Sequence, residues 1–272
     1  MSGSNMQYEE IIEKFELLKN PRNVEGMARF GIRPKTKVYG IAIPEIRKIA
    51  KEIKKAAPEG RASLSEAGRD HKLALKLWDL KIHEARILAG FIADAGLLTE
   101  KQMNKWIKGF DSWDVVDQVC LSLFDKASFI YKKVFELAKT RQKPKRHLDG
   151  PAIMPASQAL GGEFQRRTAF TLIACLAVHG LPAQAGKKMK DKDFLKFFPL
   201  IKKASTDERN FVKKAVNWAL RQIGKRNKNL NKKAIKLAKE IQKINSKPAK
   251  WVANNALTEL QSEAVQKRLN AK

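Results

Sequence analysis

Apolar residues recur at helical spacing in segment after segment of this chain, and no stretch alternates convincingly with the period of two that a strand needs. In "NMQYEEIIEKFELLKN", Ile11, Phe15 and Leu18 fall on one stripe. In "PEIRKIAKEIKKA", Pro44 suits the first helical position, and Ile46, Ile49, Ala50 and Ile53 follow it. "HKLALKLWDL", "HEARILAGFIADAG", "TEKQMNKWIKGF", "SWDVVDQVCLSLF", "FIYKKVFELAK" and "FQRRTAFTLIACLAVHG" carry the same pattern, with Gly96 expected to cap the second of them. "KDFLKFFPLIKKA", "DERNFVKKAVNWALRQIGKR", "LNKKAIKLAKEIQKI" and "KWVANNALTELQSEAVQKRL" complete the set.

Short helices joined by short turns imply stacked antiparallel pairs. The pairs recur at roughly 35–45 residues, the range of HEAT and armadillo repeats. The expected fold is therefore all-α, an α-solenoid of HEAT-like antiparallel helix pairs with a concave basic face, and a compact helical bundle is the alternative. A solenoid offers a long concave surface that a duplex can occupy. One repeat domain is expected over residues 6–272, with residues 1–5 a cloning remnant before a native Met6. The exception is 141–162, "RQKPKRHLDGPAIMPASQALGG", whose prolines and glycines forbid a continuous helix. It reads as a long loop; its basic opening either touches phosphate or is simply solvated.

The charge narrows the choice of partner. A formal +27 on 272 residues costs self-repulsion and asks for an anionic counterpart. Nucleic acid comes first, an acidic membrane surface second and an acidic protein third. No stretch approaches the roughly 20 continuous apolar residues of a membrane span, so no membrane insertion is expected. "MSGSNMQYEE" lacks the apolar core of a signal peptide. Cys120 and Cys175 each sit in an apolar helical run, which fits a reducing, cytoplasmic or nuclear setting. His71, His83, His147 and His179 are scattered without metal-ligand spacing, so no metal is expected. No glycine-rich phosphate loop and no "GxSxG" is present, which leaves a nucleotide-driven or serine-hydrolase chemistry without support.

Two helices carry unusual faces. Lys214, Trp218, Arg221 and Lys225 form a stripe of positive charge around one indole, opposite the apolar Val212, Val216, Ala219, Leu220 and Ile223. The plainer account is a boundary tryptophan among solvated cations. In "DSWDVVDQVC", Trp113 and Asp117 are four residues apart and share one helical face. Asp114 lies in the first turn, where it complements the helix dipole. Asp117 lies a turn later, where that reason fades, and an acid facing DNA repels phosphate unless it has another purpose. Its plainer account is exposure to solvent or pairing with a lysine. Arg166 and Arg167 open another apolar helix, and either could clamp a phosphate or be ordinary surface charge.

Taken together, "EGMARF" with "YGIAIPEIRKIAKEI", "LWDLKIHEARILAGFIAD", "SWDVVD", "FQRRTAF" and "FVKKAVNWALRQIGK" resemble, in order, the signature segments of the AlkD-like DNA alkylation-repair glycosylases, a HEAT-like family. The resemblance implies hydrolysis of the N-glycosidic bond of alkylated purines such as 3-methyladenine and 7-methylguanine in double-stranded DNA. It implies no metal or organic cofactor. It places Trp113, Asp117 and Trp218 in the catalytic cleft and Arg167 at a phosphate; Arg166, Lys214, Arg221 and Lys225 are expected as further DNA contacts from the basic faces of their own helices. Phe30 stands where a relative carries a tyrosine, so a DNA contact there lacks the phenol hydrogen bond. A monomer is expected, since one concave face serves one duplex. Two other readings stay open. One is a non-catalytic HEAT-repeat protein that binds damaged or branched DNA; the other is a scaffold for an acidic protein.

Overall fold

A computed structural model describes residues 8–55, 64–139, 162–182, 186 and 188–271. Residues 1–5, His147 and, Gly162 apart, the 141–162 segment lie outside them. The chain divides into two compact units, residues 1–127 and 128–272. The first contains α1 (Tyr8–Leu18), α2 (Pro21–Arg29), α3 (Ile43–Lys55), α4 (Leu64–Asp79), α5 (His83–Ile92), α6 (Glu100–Gly109) and α7 (Trp113–Ser122). The second contains α8 (Ile130–Ala138), α9 (Glu163–His179), α10 (Asp191–Leu195), α11 (Phe198–Ala204), α12 (Asn210–Gly224), α13 (Lys228–Gln242), α14 (Lys247–Leu260) and α15 (Glu263–Asn270). The fold is all-α; the β pairing among the described residues is one isolated parallel bridge between Lys37 and Ile82.

In the first unit α5 is the helix around which the others pack. Nearly all of it is buried, and it lies against α3, α4 and α7. Gly90 sets the approach to α7: a Cβ there would stand 2.9 Å from Val119 Cγ2. Beside it, the indoles of Trp78 and Trp106 stack with centroids 4.2 Å apart, and Phe110 and Phe124 close the cluster. Fully burying one such large apolar side chain contributes about 1.5–3 kcal/mol. Thr99 and Gln102 form a reciprocal capping box that starts α6. The α5 end differs from expectation. The helix stops at Ile92 and Ala93 turns extended, while the Gly96 N–H donates to Asp94 Oδ1 at 2.6 Å, so Gly96 belongs to the following turn and is not the cap.

In the second unit α9 is buried on almost every side, the mark of a central helix. It packs on α8 and α12, and α12 packs in turn on α13 and α14. Two expected helices are each broken. "KDFLKFFPLIKKA" splits into α10 and α11 because Pro199 has no N–H to give and is tolerated only in a first turn. "KWVANNALTELQSEAVQKRL" splits at Ser262, whose side chain accepts the Val265 N–H and caps α15. Helix α2 is not among the helices expected from periodicity; Asn20 caps it and Pro21 opens it.

Candidate functional site

The segment 111–117 presents two of the residues singled out from sequence. Ser112 has extended backbone, and α7 begins at Trp113. Val115, Val116, Val119 and Cys120 point into the core, leaving Trp113 and Asp117 half-exposed on the side where the i, i+4 spacing places them together. The Trp113 Nε1–H donates to the Phe30 carbonyl at 3.1 Å, which fixes the plane of the indole. Phe30 itself is 72% exposed, a large ring left at the surface.

Two other carboxylates of the same segment hold it in place. Asp111 Oδ1 accepts from Arg86 Nη1 at 3.1 Å, and its Oδ2 accepts the Lys35 N–H at 3.0 Å. Arg86 also donates to the Gly109 carbonyl at 2.9 Å and lies over the Trp78 ring. Asp114 Oδ2 accepts from His83 Nε2 at 2.8 Å, and Ser112 Oγ donates to its other oxygen. Burial works against charge in this pair. The mutual hydrogen bond and attraction nevertheless hold the Asp114 carboxyl below the ordinary range, and raise His83 above its ordinary 6.5. The start of α7 is thereby tied at two points to α5, before Trp113 and Asp117 are displayed. The helix start that carries both residues is thus held in place, as a preorganised site requires.

Beside the His83–Asp114 pair opens a cleft of about 320 Å³, lined among others by Met27, Phe30, Ile32 and Glu84. Glu84 is 1% exposed. Its carboxylate accepts the backbone N–H groups of Tyr39, Gly40 and Ile41, the Gly40 contact at 2.7 Å. Gly40 adopts φ +76°, and a Cβ there would meet the Asn20 carbonyl oxygen at 2.3 Å.

The second unit carries the other residues. Trp218 is half-buried on α12 and Lys214 is exposed. Arg221 and Lys225 both bind Glu259 of α14, whose carboxyl is held below the ordinary range by these two cations in spite of burial. The positive stripe is therefore partly neutralised from within the unit. Arg166 and Arg167 are 7% and 5% exposed. Arg166 Nε lies 3.0 Å from Asp207 Oδ2, an oxygen that also pairs with Arg209. Arg167 Nη1 donates to the Phe211 carbonyl at 2.7 Å, while Glu163 accepts the Phe211 N–H. Arg166 thus fastens α9 to the segment before α12 and Arg167 fastens it to the first turn of α12, roles that the local sequence does not disclose. Among the described residues, no group of three His, Cys, Asp or Glu side chains could hold a metal ion.

The comparisons with known proteins bear on what such a surface is for. The profile of the family described as "DNA alkylation repair enzyme" matches residues 11–143 and 161–260. The chain belongs to this DNA alkylation repair family. A solved structure covers 97% of this family member and 96% of its own chain, at 18% identity and a TM-score of 0.68. It is described as one of "a new family of proteins related to the HEAT-like repeat DNA glycosylases with affinity for branched DNA structures", and at that identity the likeness establishes a shared HEAT-like fold. No curated protein matches the chain. The contacts that lock α7 to α5 leave little local mark in the sequence. His83 reads as one of four scattered histidines, and its carboxylate partner lies 31 positions away. The one available signal was "HEAR", three ionisable residues opening an otherwise apolar run.

Proposed function

We propose that this family member is a DNA glycosylase that hydrolyses the N-glycosidic bond of alkylated, cationic purines such as 3-methyladenine and 7-methylguanine in double-stranded DNA. The observation that supports it is the pairing of a half-exposed indole and a half-exposed carboxylate on a helix start pinned by two ion pairs. Alkylation already makes the base a good leaving group. As the bond from C1′ to the base nitrogen breaks, the bonding electrons go to the base, which departs neutral. Positive charge moves onto the deoxyribose, and a water oxygen then bonds to C1′ and loses a proton.

Asp117 is assigned to stabilise that developing charge and to orient the water. At 4 Å such a pair is worth roughly 1 kcal/mol in bulk water and about 4 at an effective dielectric near 20, so a dry setting favours it. Trp113 and Trp218 are assigned to contact the sugar edge and the cationic lesion, each cation–π contact adding about 0.5–2 kcal/mol. Lys214 and Phe30 are assigned to the DNA backbone, and Arg167, buried and bonded to the Phe211 carbonyl, reaches a phosphate only by giving up that contact. Arg221 and Lys225 would reach phosphate only in competition with Glu259, and Arg166 serves by holding Asp207. The reading takes one chain per duplex, working with DNA inside the cell.

Incubation with duplex DNA carrying 7-methylguanine tests it. Free base and heat-labile abasic sites are expected, and Asp117→Asn should lose most of the rate with DNA binding retained. An unchanged rate in that variant removes Asp117 from the reaction. A second reading is favoured by the structural relative described by its affinity for branched DNA: a protein that holds branched DNA without cutting a bond. No base release, together with tighter binding of a four-way junction than of duplex, would select it.

A further inference from the structure

In the second unit, α13 presents Lys233, Lys236, Leu237 and Glu240 at i, i+3, i+4 and i+7, so all four share one helix face. Opposite stand Leu195, Phe198, Pro199 and Lys202, and between the two rows lies an open groove of about 380 Å³. Its floor is apolar. Leu237 is buried, Leu195 and Phe198 are half-buried and Pro199 is exposed. The rim has three lysines against one glutamate, and that glutamate already bonds Lys202 at 2.7 Å.

We propose that this groove docks an acidic peptide segment of a partner protein, one that carries an aromatic or branched apolar side chain among its carboxylates. Each half of that description answers an observation. The lysine rim selects negative charge and sets the approach of the peptide. The floor demands an apolar side chain, which a phosphodiester lacks. Stacked bases need an open aromatic face, whereas a single half-buried ring among aliphatic side chains offers little of one. A carboxylate of the incoming peptide replaces Glu240 on Lys202, so the existing ion pair marks where one acid sits. The chain's own 141–147 run, with Arg141, Lys143, Lys145 and Arg146, has the wrong sign to fill the groove.

The test uses the full chain and a fluorescein-labelled peptide with four acidic residues and one phenylalanine, followed by anisotropy. Saturable binding is expected, weakened roughly tenfold or more by Lys233→Glu with Lys236→Glu. Both lysines are exposed, so the thermal midpoint should hold. Replacing the peptide phenylalanine by alanine should weaken binding comparably, a readout that needs no change in the protein. Equal binding of the alanine peptide would reduce the groove to a charged patch and overturn the proposal. So would displacement of the peptide by an equally charged oligothymidylate at matching concentration. Concentration-dependent self-association abolished by the same two substitutions would assign the groove to a second copy of the chain instead.

Discussion

Asp114 and His83 show how a single pair makes this fold sensitive to pH. His83 is 2% exposed, and its folded pKa is raised above 6.5 by the hydrogen bond and charge of Asp114, with Glu84 and Asp111 adding to it against the cost of burial. Its contribution to stability is therefore complete below the ordinary histidine pKa and is lost as pH climbs through the raised value. Asp114 behaves oppositely. Its lowered pKa gives stability above the ordinary carboxylate value, lost as pH falls through the folded one. Urea unfolding from pH 5 to pH 9 should show the protein weakening on the alkaline side. Asp114→Asn should remove that alkaline dependence and cost about 1–3 kcal/mol at neutral pH. At this scale the sequence told half the story. It marked Asp114 as a dipole partner and Asp117 as unexplained, but a contact partner 31 residues away leaves no local trace.

Elements were far more legible than pairs, because burial of one face writes a period of 3.6 into the chain and survives any choice of neighbour. Where the period misleads, one residue overrides it. Pro199 cut a continuous apolar run in two, Ser262 supplied a cap inside another, and α2, with no fully buried residue, had little apolar stripe to find. Helix proximity is more demanding than helix existence. Gly90 lets α5 close on α7, and Gly90→Ala would drive a methyl to 2.9 Å from Val119 Cγ2. Thermal unfolding should show a loss of about 1–3 kcal/mol, the usual cost of overpacking. Val119→Ala should recover much of it in the double variant, since it removes the methyl that clashes. Additive losses would mean that the two helices do not meet at that point.

Across the whole molecule, +27 is the property most easily seen and least specific. It predicts that DNA affinity falls steeply with salt, with a slope of about 0.9 per phosphate neutralised. Lys214→Ala should lower that slope by roughly one unit and leave the thermal midpoint in place, because the side chain is exposed. Arg167→Ala should lower the midpoint as well, because its guanidinium also anchors α9 to Phe211. Identical slopes for wild type and both variants would remove both residues from the backbone contact. Composition announced a polyanion partner; it took the coordinates to separate the cations that are spoken for from those that are not. The carboxylate of Glu84 adds a last consequence. By gathering the amide protons of Tyr39, Gly40 and Ile41 in the α2–α3 connection, it should slow their exchange with deuterium to the pace of the helix that holds it. An exchange map should find the amides of Tyr39, Gly40 and Ile41 retained for as long as those of α5, and Glu84→Gln should release them first.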